Sequence, residues 1–145
     1  MLDYKKILFP IDLSETSVKI FPHVETVADK FGAEIILIFV AKVHEYYVED
    51  EKEPGESIRK KVKSYRDKHF PTIPENRVVI KDGEAADEIL SYIESAGIDM
   101  VIMATRGRKA LDKAIFGSVA ANVARSAPVP VFFVNPFTDK FLKAK

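Results

Sequence analysis

Cysteine is absent from the 145-residue chain. That excludes a disulfide framework, cysteine-ligated zinc, thiol catalysis and cysteine-held iron–sulfur clusters. Net charge is absent too, since 22 Lys and Arg balance 22 Asp and Glu. Nucleic-acid binding ordinarily leaves a basic excess, and attachment to an anionic membrane asks for one as well, so neither partner is expected. Low net charge opposes self-association only weakly. No apolar run approaches the ~20 residues of a membrane-spanning helix. The opening MLDYKKILF lacks a basic region followed by a long apolar run, so it does not read as a signal peptide. A soluble, cytoplasmic protein is the expectation. Neither the GxxxxGK[ST] phosphate loop nor the GxGxxG dinucleotide fingerprint occurs. His23, His44 and His69 form no ligand-spaced pair, and no Ser-His-Asp set or carboxylate pair can be assembled, so an enzymatic role is left open.

What is present is a globular composition, 47% hydrophobic and 30% charged. The length suits one domain, residues 1–145, that buries roughly 70% of its unfolded surface. Five short apolar runs are spaced along it: Ile7–Ile11, Ile35–Val40, Val78–Ile80, Met100–Met103 and Val129–Val134. Continuous rather than alternating apolar character marks strands covered on both faces. Pro10 cannot donate to a ladder, so the first strand is expected to end or become irregular there.

Helical spacing falls between the strands. Ser14 and Gly32 bracket a first helix carrying Val18, Phe21, Val24, Val27, Ala28 and Phe31, with a kink or shifted boundary expected at Pro22. Further helices are expected over 57–69 (Ile58, Val62, Tyr65), over a segment carrying Ala86, Ile89, Leu90 and Ile93 that ends near Gly97, and over 118–126. Residues 41–56, acidic and irregular, read as a surface connection. Phe137, Phe141 and Leu142 either dock the tail or let it fray. The alternation predicts a three-layer α/β/α open sheet of five mainly parallel strands.

In such sheets ligands bind beyond the carboxyl ends of the strands, at the point where strand order reverses. Asp12 follows the first strand, and Ala104-Thr105-Arg106-Gly107-Arg108-Lys109 follows the fourth. Gly107 permits a tight turn or a close backbone approach. Gly117-Ser118, opening the last helix, can offer amides and a hydroxyl to an anion, although Ser118 also reads as a plain N-cap. Arg106, Arg108 and Lys109 add positive charge. Asp12 suits ribose hydroxyls or, with phosphates present, a divalent cation. Together these parts describe a nucleoside-phosphate site.

The chain resembles the universal stress protein family, UspA-type, over nearly its whole length. The match rests on Lys6-Ile7-Leu8-Phe9-Pro10-Ile11-Asp12-Leu13-Ser14, on Gly83 through Ile93 with Asp99–Met103, and on Ala104 to Val134. The family's nucleotide-binding branch carries G-x2-G-x9-G-[ST]. Ala104, Gly107, Gly117 and Ser118 occupy those positions, so three of the four match with the correct spacing. The resemblance implies an adenine nucleotide alpha hydrolase-like fold that binds ATP or another adenine nucleotide, possible Mg²⁺ or Mn²⁺ at Asp12, and adenine against the Val40 backbone. It places Gly107, Arg108, Gly117, Ser118 and Val119 around the phosphates.

Arg106 stands where family members often carry histidine. Ala104 is the departure from the motif. Alanine there costs about 1–2 kcal/mol if a left-handed backbone is required, and little if only space is. The implied role is a stress-response protein acting through ligand-dependent contact with a protein effector, with at most slow ATP hydrolysis. A nucleotide-free dimeric scaffold and a metal-dependent nucleotide hydrolase are the alternatives. The resemblance also implies a homodimer through Val131–Val134, a run whose apolarity equally fits an internal strand.

Overall fold

Backbone pairing joins five parallel strands in the order β3-β2-β1-β4-β5. The strands are β1 (Lys6–Ile11), β2 (Glu34–Ala41), β3 (Val78–Asp82), β4 (Met100–Ala104) and β5 (Val131–Val134), and the helices are α1 (Glu15–Phe31), α2 (Glu56–His69), α3 (Ala85–Ser95) and α4 (Ser118–Ser126). This computed structural model describes residues 1–41, 55–106 and 116–142. The expected surface connection, apart from its ends, and the residues Gly107, Arg108 and Lys109 lie outside them.

Side chains alternate across a strand with period two, and the core divides accordingly. Ile7, Phe9 and Ile11 of β1, Leu37 and Phe39 of β2, and Met100 and Ile102 of β4 join one cluster with Ile20, Phe21 and Val24 of α1 and Ile58 and Val62 of α2. Leu8, Ile36, Ile38, Val101 and Met103 face the other way, onto Ala86, Ile89 and Ile93 of α3 and Ala120 and Val123 of α4. A strand buried on both sides must be apolar at every position, which explains the unbroken runs. Phe9, Phe21 and Phe70 form the centre of the first cluster, with ring centroids 4.6–5.8 Å apart.

Pro22 does not interrupt α1, whose next turn is tied back by Thr26 Oγ1 donating to Pro22 O at 2.8 Å. The helix stops at Gly32, where a φ of 61° lets its N–H reach Asp29 O and lets Ala33 N–H reach Ala28 O.

Pro10 likewise does not end β1, contrary to expectation, because β1 pairs with β2 in unbroken register through Ile11↔Phe39. The Lys5 carbonyl accepts from Glu34 at the start of β2, whereas the Lys6 carbonyl accepts from Asp99 just before β4. Alternation therefore turns residue 10 toward β4. Its missing N–H falls on that side only, and pairing with β4 covers just Ile7↔Met100 and Leu8↔Val101.

β5 begins at Val131 rather than Val129, with Pro130 contributing only its carbonyl, to Val101 N–H at 3.0 Å. Beyond β5 the tail docks in part. Leu142 packs against the first core cluster, while Phe137 and Phe141 stay exposed.

Candidate functional site

Strand order reverses between β1 and β4, since α1 and α2 cover one face of the sheet and α3 and α4 the other. Past Leu8 and Val101 these two strands no longer pair with each other. This is the switch point at which open parallel sheets bind ligands.

Asp12 leaves β1 at that point. Its Oδ1 accepts from Ser14 N at 3.1 Å, from Ser14 Oγ, and from Ser17 Oγ at 3.5 Å. The turn requires Leu13 to sit at φ 63°, which a side chain of this size rarely adopts. Strain of this kind persists only where its surroundings enforce it. Leu13 packs on the first core cluster, and Tyr65 of α2 donates its hydroxyl to Ser14 O at 2.6 Å. Burial pushes the Tyr65 phenol above its ordinary pKa. A hydrogen bond with Ser17 opposes that rise without cancelling it, and the negative charges of Asp12 and Glu15 add smaller pushes upward. Ser14 is the N-cap residue of α1, as expected, but its hydroxyl meets Asp12 and Thr16 instead of capping the helix.

One residue past the Ile11–Phe39 pair, Asp12 and Val40 continue their adjacent strands. Val40 is half-buried against the second cluster and pairs with Lys81. Its backbone thus lies at the same sheet end as Asp12.

The other wall is built from β4 and α4. Ala104 is the last residue of β4 and pairs with Val134, and its φ is not positive. The alanine that departs from the glycine motif therefore carries no left-handed strain. Gly117 N–H donates to Thr105 O at 2.8 Å, which fastens the start of α4 to the end of β4. Gly117 is the N-cap and Ser118 the first helical residue, so the plain N-cap reading of Ser118 does not hold. Gly117 has no side chain with which to cap α4. In contrast, Glu84 caps α3 by accepting from Ala86 N at 3.3 Å and Asp87 N at 2.9 Å. The first-turn amides of any helix lack internal acceptors and attract anions. At α4 that turn comprises Ser118, Val119 and Ala120.

Arg106 follows, with its guanidinium 4.4 Å above the Phe137 ring, and Lys19 Nζ stands 5.8 Å from the same ring. His23 lies away from the Asp12 turn, in α1, where Nε2 is 3.1 Å from Asp139 Oδ2. His69 lies beside Tyr65 in α2, the two rings tilted with centroids 4.9 Å apart. Among the described residues, no group of three or more His, Asp or Glu side chains is arranged to hold a metal ion. A cation at Asp12 would therefore take its remaining ligands from elsewhere, as phosphate oxygens can supply.

The structure thus brings Asp12, Val40, Ala104, Gly117, Ser118 and Val119 to one end of the sheet, while Gly107 and Arg108 lie outside the described residues. Two residues were not singled out in advance. Tyr65 reads as one more apolar position of α2, and Thr105 as filler between Ala104 and Arg106. A polar tip on an otherwise core-facing position was the available signal in both.

No helix among the described residues is long and apolar enough to cross a membrane. Residues 3–135 match the model of the universal stress protein family. The chain is 32% identical over 143 residues to universal stress protein MJ0531 of Methanocaldococcus jannaschii, a match covering 91% of this chain and 82% of that one. Protein MJ0577 of the same organism has a solved structure that superposes with a TM-score of 0.75 at 27% identity, covering 95% of this chain and all of that one. A universal stress protein crystallised in complex with cAMP shares the fold, with a TM-score of 0.68 at 17% identity over 92% of this chain and 98% of that one. On its sequence and its three-layer α/β/α architecture, the chain belongs to the universal stress protein family.

Proposed function

We propose that the protein binds an adenine nucleotide, with ATP as the leading candidate, across the β1–β4 switch point and acts through ligand-dependent contact with a protein effector. One observation carries this reading: the start of α4, with glycine at its N-cap, is fastened to the end of β4, one strand away from the Asp12 turn. An anion-binding helix terminus beside a carboxylate suited to hydroxyls fits phosphates and ribose at once. In this assignment Asp12 takes the ribose or, through phosphates, Mg²⁺ or Mn²⁺. The Val40 backbone meets adenine, and Gly117, Ser118 and Val119 meet the phosphates together with Gly107 and Arg108 of the motif. The bound cation would neutralise phosphate charge, and any ATP hydrolysis would be slow.

Family membership and the cAMP complex of a distant relative agree with an adenine ligand. The unstrained backbone of Ala104 weakens the argument for a nucleotide-free scaffold, which then rests on the space its methyl group takes. The outer edge of β5, with Phe132 exposed, is the proposed homodimer contact.

Isothermal titration with ATP, ADP and AMP, with and without Mg²⁺, tests the reading. Saturable binding is expected, and silence at millimolar nucleotide overturns it. Gly117→Val should weaken ATP by placing a branched side chain at the phosphate position.

A further inference from the structure

Beyond β5 the chain ties itself into two consecutive turns. Phe137 N donates to Asn135 Oδ1 at 3.0 Å, and Asp139 N to Asn135 O at 3.2 Å. Asp139 repeats the pattern, with Phe141 N donating to its Oδ1 at 2.9 Å and Leu142 N to its carbonyl at 3.2 Å. Side-chain turns of this kind shape a short segment locally, and contacts outside it must hold it on the fold. Leu142 packs on the first core cluster, and the Phe137 ring lies against Arg106 with Lys19 nearby. The second carboxylate oxygen of Asp139 faces His23 Nε2 of α1 at 3.1 Å. Of these contacts, that pair is the one whose charge changes near neutral pH, because imidazole ordinarily titrates near ~6.5.

The pair is largely shielded. Both side chains are only 21% exposed, with Phe141 5.9 Å and Phe132 6.4 Å from the imidazole ring, so salt screens the pair less than an open surface pair. Partial burial pushes the Asp139 carboxyl up, but the His23 imidazole and the amides of Phe141 and Leu142 outweigh it and hold the group below the usual carboxylate range. Asp139 is therefore charged wherever His23 changes state. The charges on the surrounding elements are Lys19, one turn earlier in α1, Lys140, 4.9 Å from the Phe141 ring, and Arg106, against Phe137. Each of these cations lies against a phenylalanine ring, and among the described residues Asp139 alone is in ion-pair contact with His23. We infer that segment 135–142 is a pH-sensitive strap, which protonated His23 closes on α1 by clamping Asp139 and which loosens when that proton leaves. Closed, the strap keeps Phe137 stacked on Arg106 at the end of β4. It is tightest between the carboxylate range near ~4 and the imidazole range near ~6.5, losing the pair below as Asp139 protonates and above as His23 deprotonates. The inference is independent of the nucleotide reading.

Amide hydrogen exchange of the full chain, followed by NMR and referred to the intrinsic rate at each pH, provides the test. Turns this short do not persist off the fold, so the Phe141 and Leu142 amides exchange when the strap lifts. Their protection should be about threefold higher near pH ~5.5 than near ~8, the scale of one partly exposed ion pair. Amides within α1 should show no such change. His23→Gln keeps a donor that cannot titrate, and Asp139→Asn keeps the Oδ1 acceptor for Phe141 without the charge. In both variants the protection should be flat over this range and close to the wild-type value near pH ~8. Flat protection in the wild type overturns the inference. A pH dependence that survives in either variant overturns it too, as does an equal change in the α1 amides, which would mark a shift of the whole fold.

Discussion

Tyr65 shows how much of the site depends on single side chains outside it. Its hydroxyl crosses from α2 to Ser14 O, and it braces a turn that holds Leu13 in the left-handed region. Tyr65→Phe should destabilise the fold by about 1 kcal/mol, read as a lower urea midpoint at neutral pH. The raised phenol pKa also fixes a sign. Its contribution is complete below the ordinary tyrosine value near ~10 and declines as pH rises beyond it, because the unfolded chain ionises first. The stability of wild type should therefore fall more steeply than that of Tyr65→Phe above that pH. Ala104 allows an equally direct test. It lies in regular strand, so Ala104→Gly relieves no strain and should cost about 0.5–1 kcal/mol of stability, with ATP affinity unchanged. A marked gain in affinity would show that the methyl group obstructs the ligand.

Among the elements, α3 and α4 differ at their starts: one is capped by its own Glu84 carboxylate and the other ends in glycine. Glu84→Ala should lower stability by about 1 kcal/mol, measurable by thermal melting. Gly117→Asp should do the opposite. A Cβ at Gly117 would meet Thr105 O at 3.7 Å and Arg106 Cα at 3.8 Å, ordinary contacts, and its φ is not left-handed. The new carboxylate would cap α4, hold or raise the melting temperature, and repel phosphate, so ATP affinity should fall by at least about tenfold.

Elements of this kind were largely legible beforehand. A helix was expected over 118–126, where α4 lies, and the apolar runs marked all five strands. The misjudgements centre on proline. Periodicity does not reveal which neighbour a missing N–H faces, and that decided the outcome at Pro10. The hydroxyls of Tyr65 and Thr105 escaped notice for a related reason. Tyr65 meets Ser14 across 51 positions of sequence, and Thr105 acquires its setting only when β5 and α4 close around it.

At the scale of the molecule, β3 and β5 form the two edges of the sheet, and Phe132 is 41% exposed on the latter. If β5 pairs with a second copy, Phe132→Asp should shift the sedimenting species from dimer mass to monomer mass without loss of secondary structure. The strand order has a further consequence, in time rather than in space. Synthesis delivers β1, β2 and β3 first, and those three already form a contiguous half-sheet. Until β4 emerges, β1 is an edge, and its unpaired side is the one on which Pro10 withholds a donor. A proline on an edge discourages pairing with the wrong strand. Pro10, which faces the switch point in the finished protein, would thus also guard the nascent chain against misassociation.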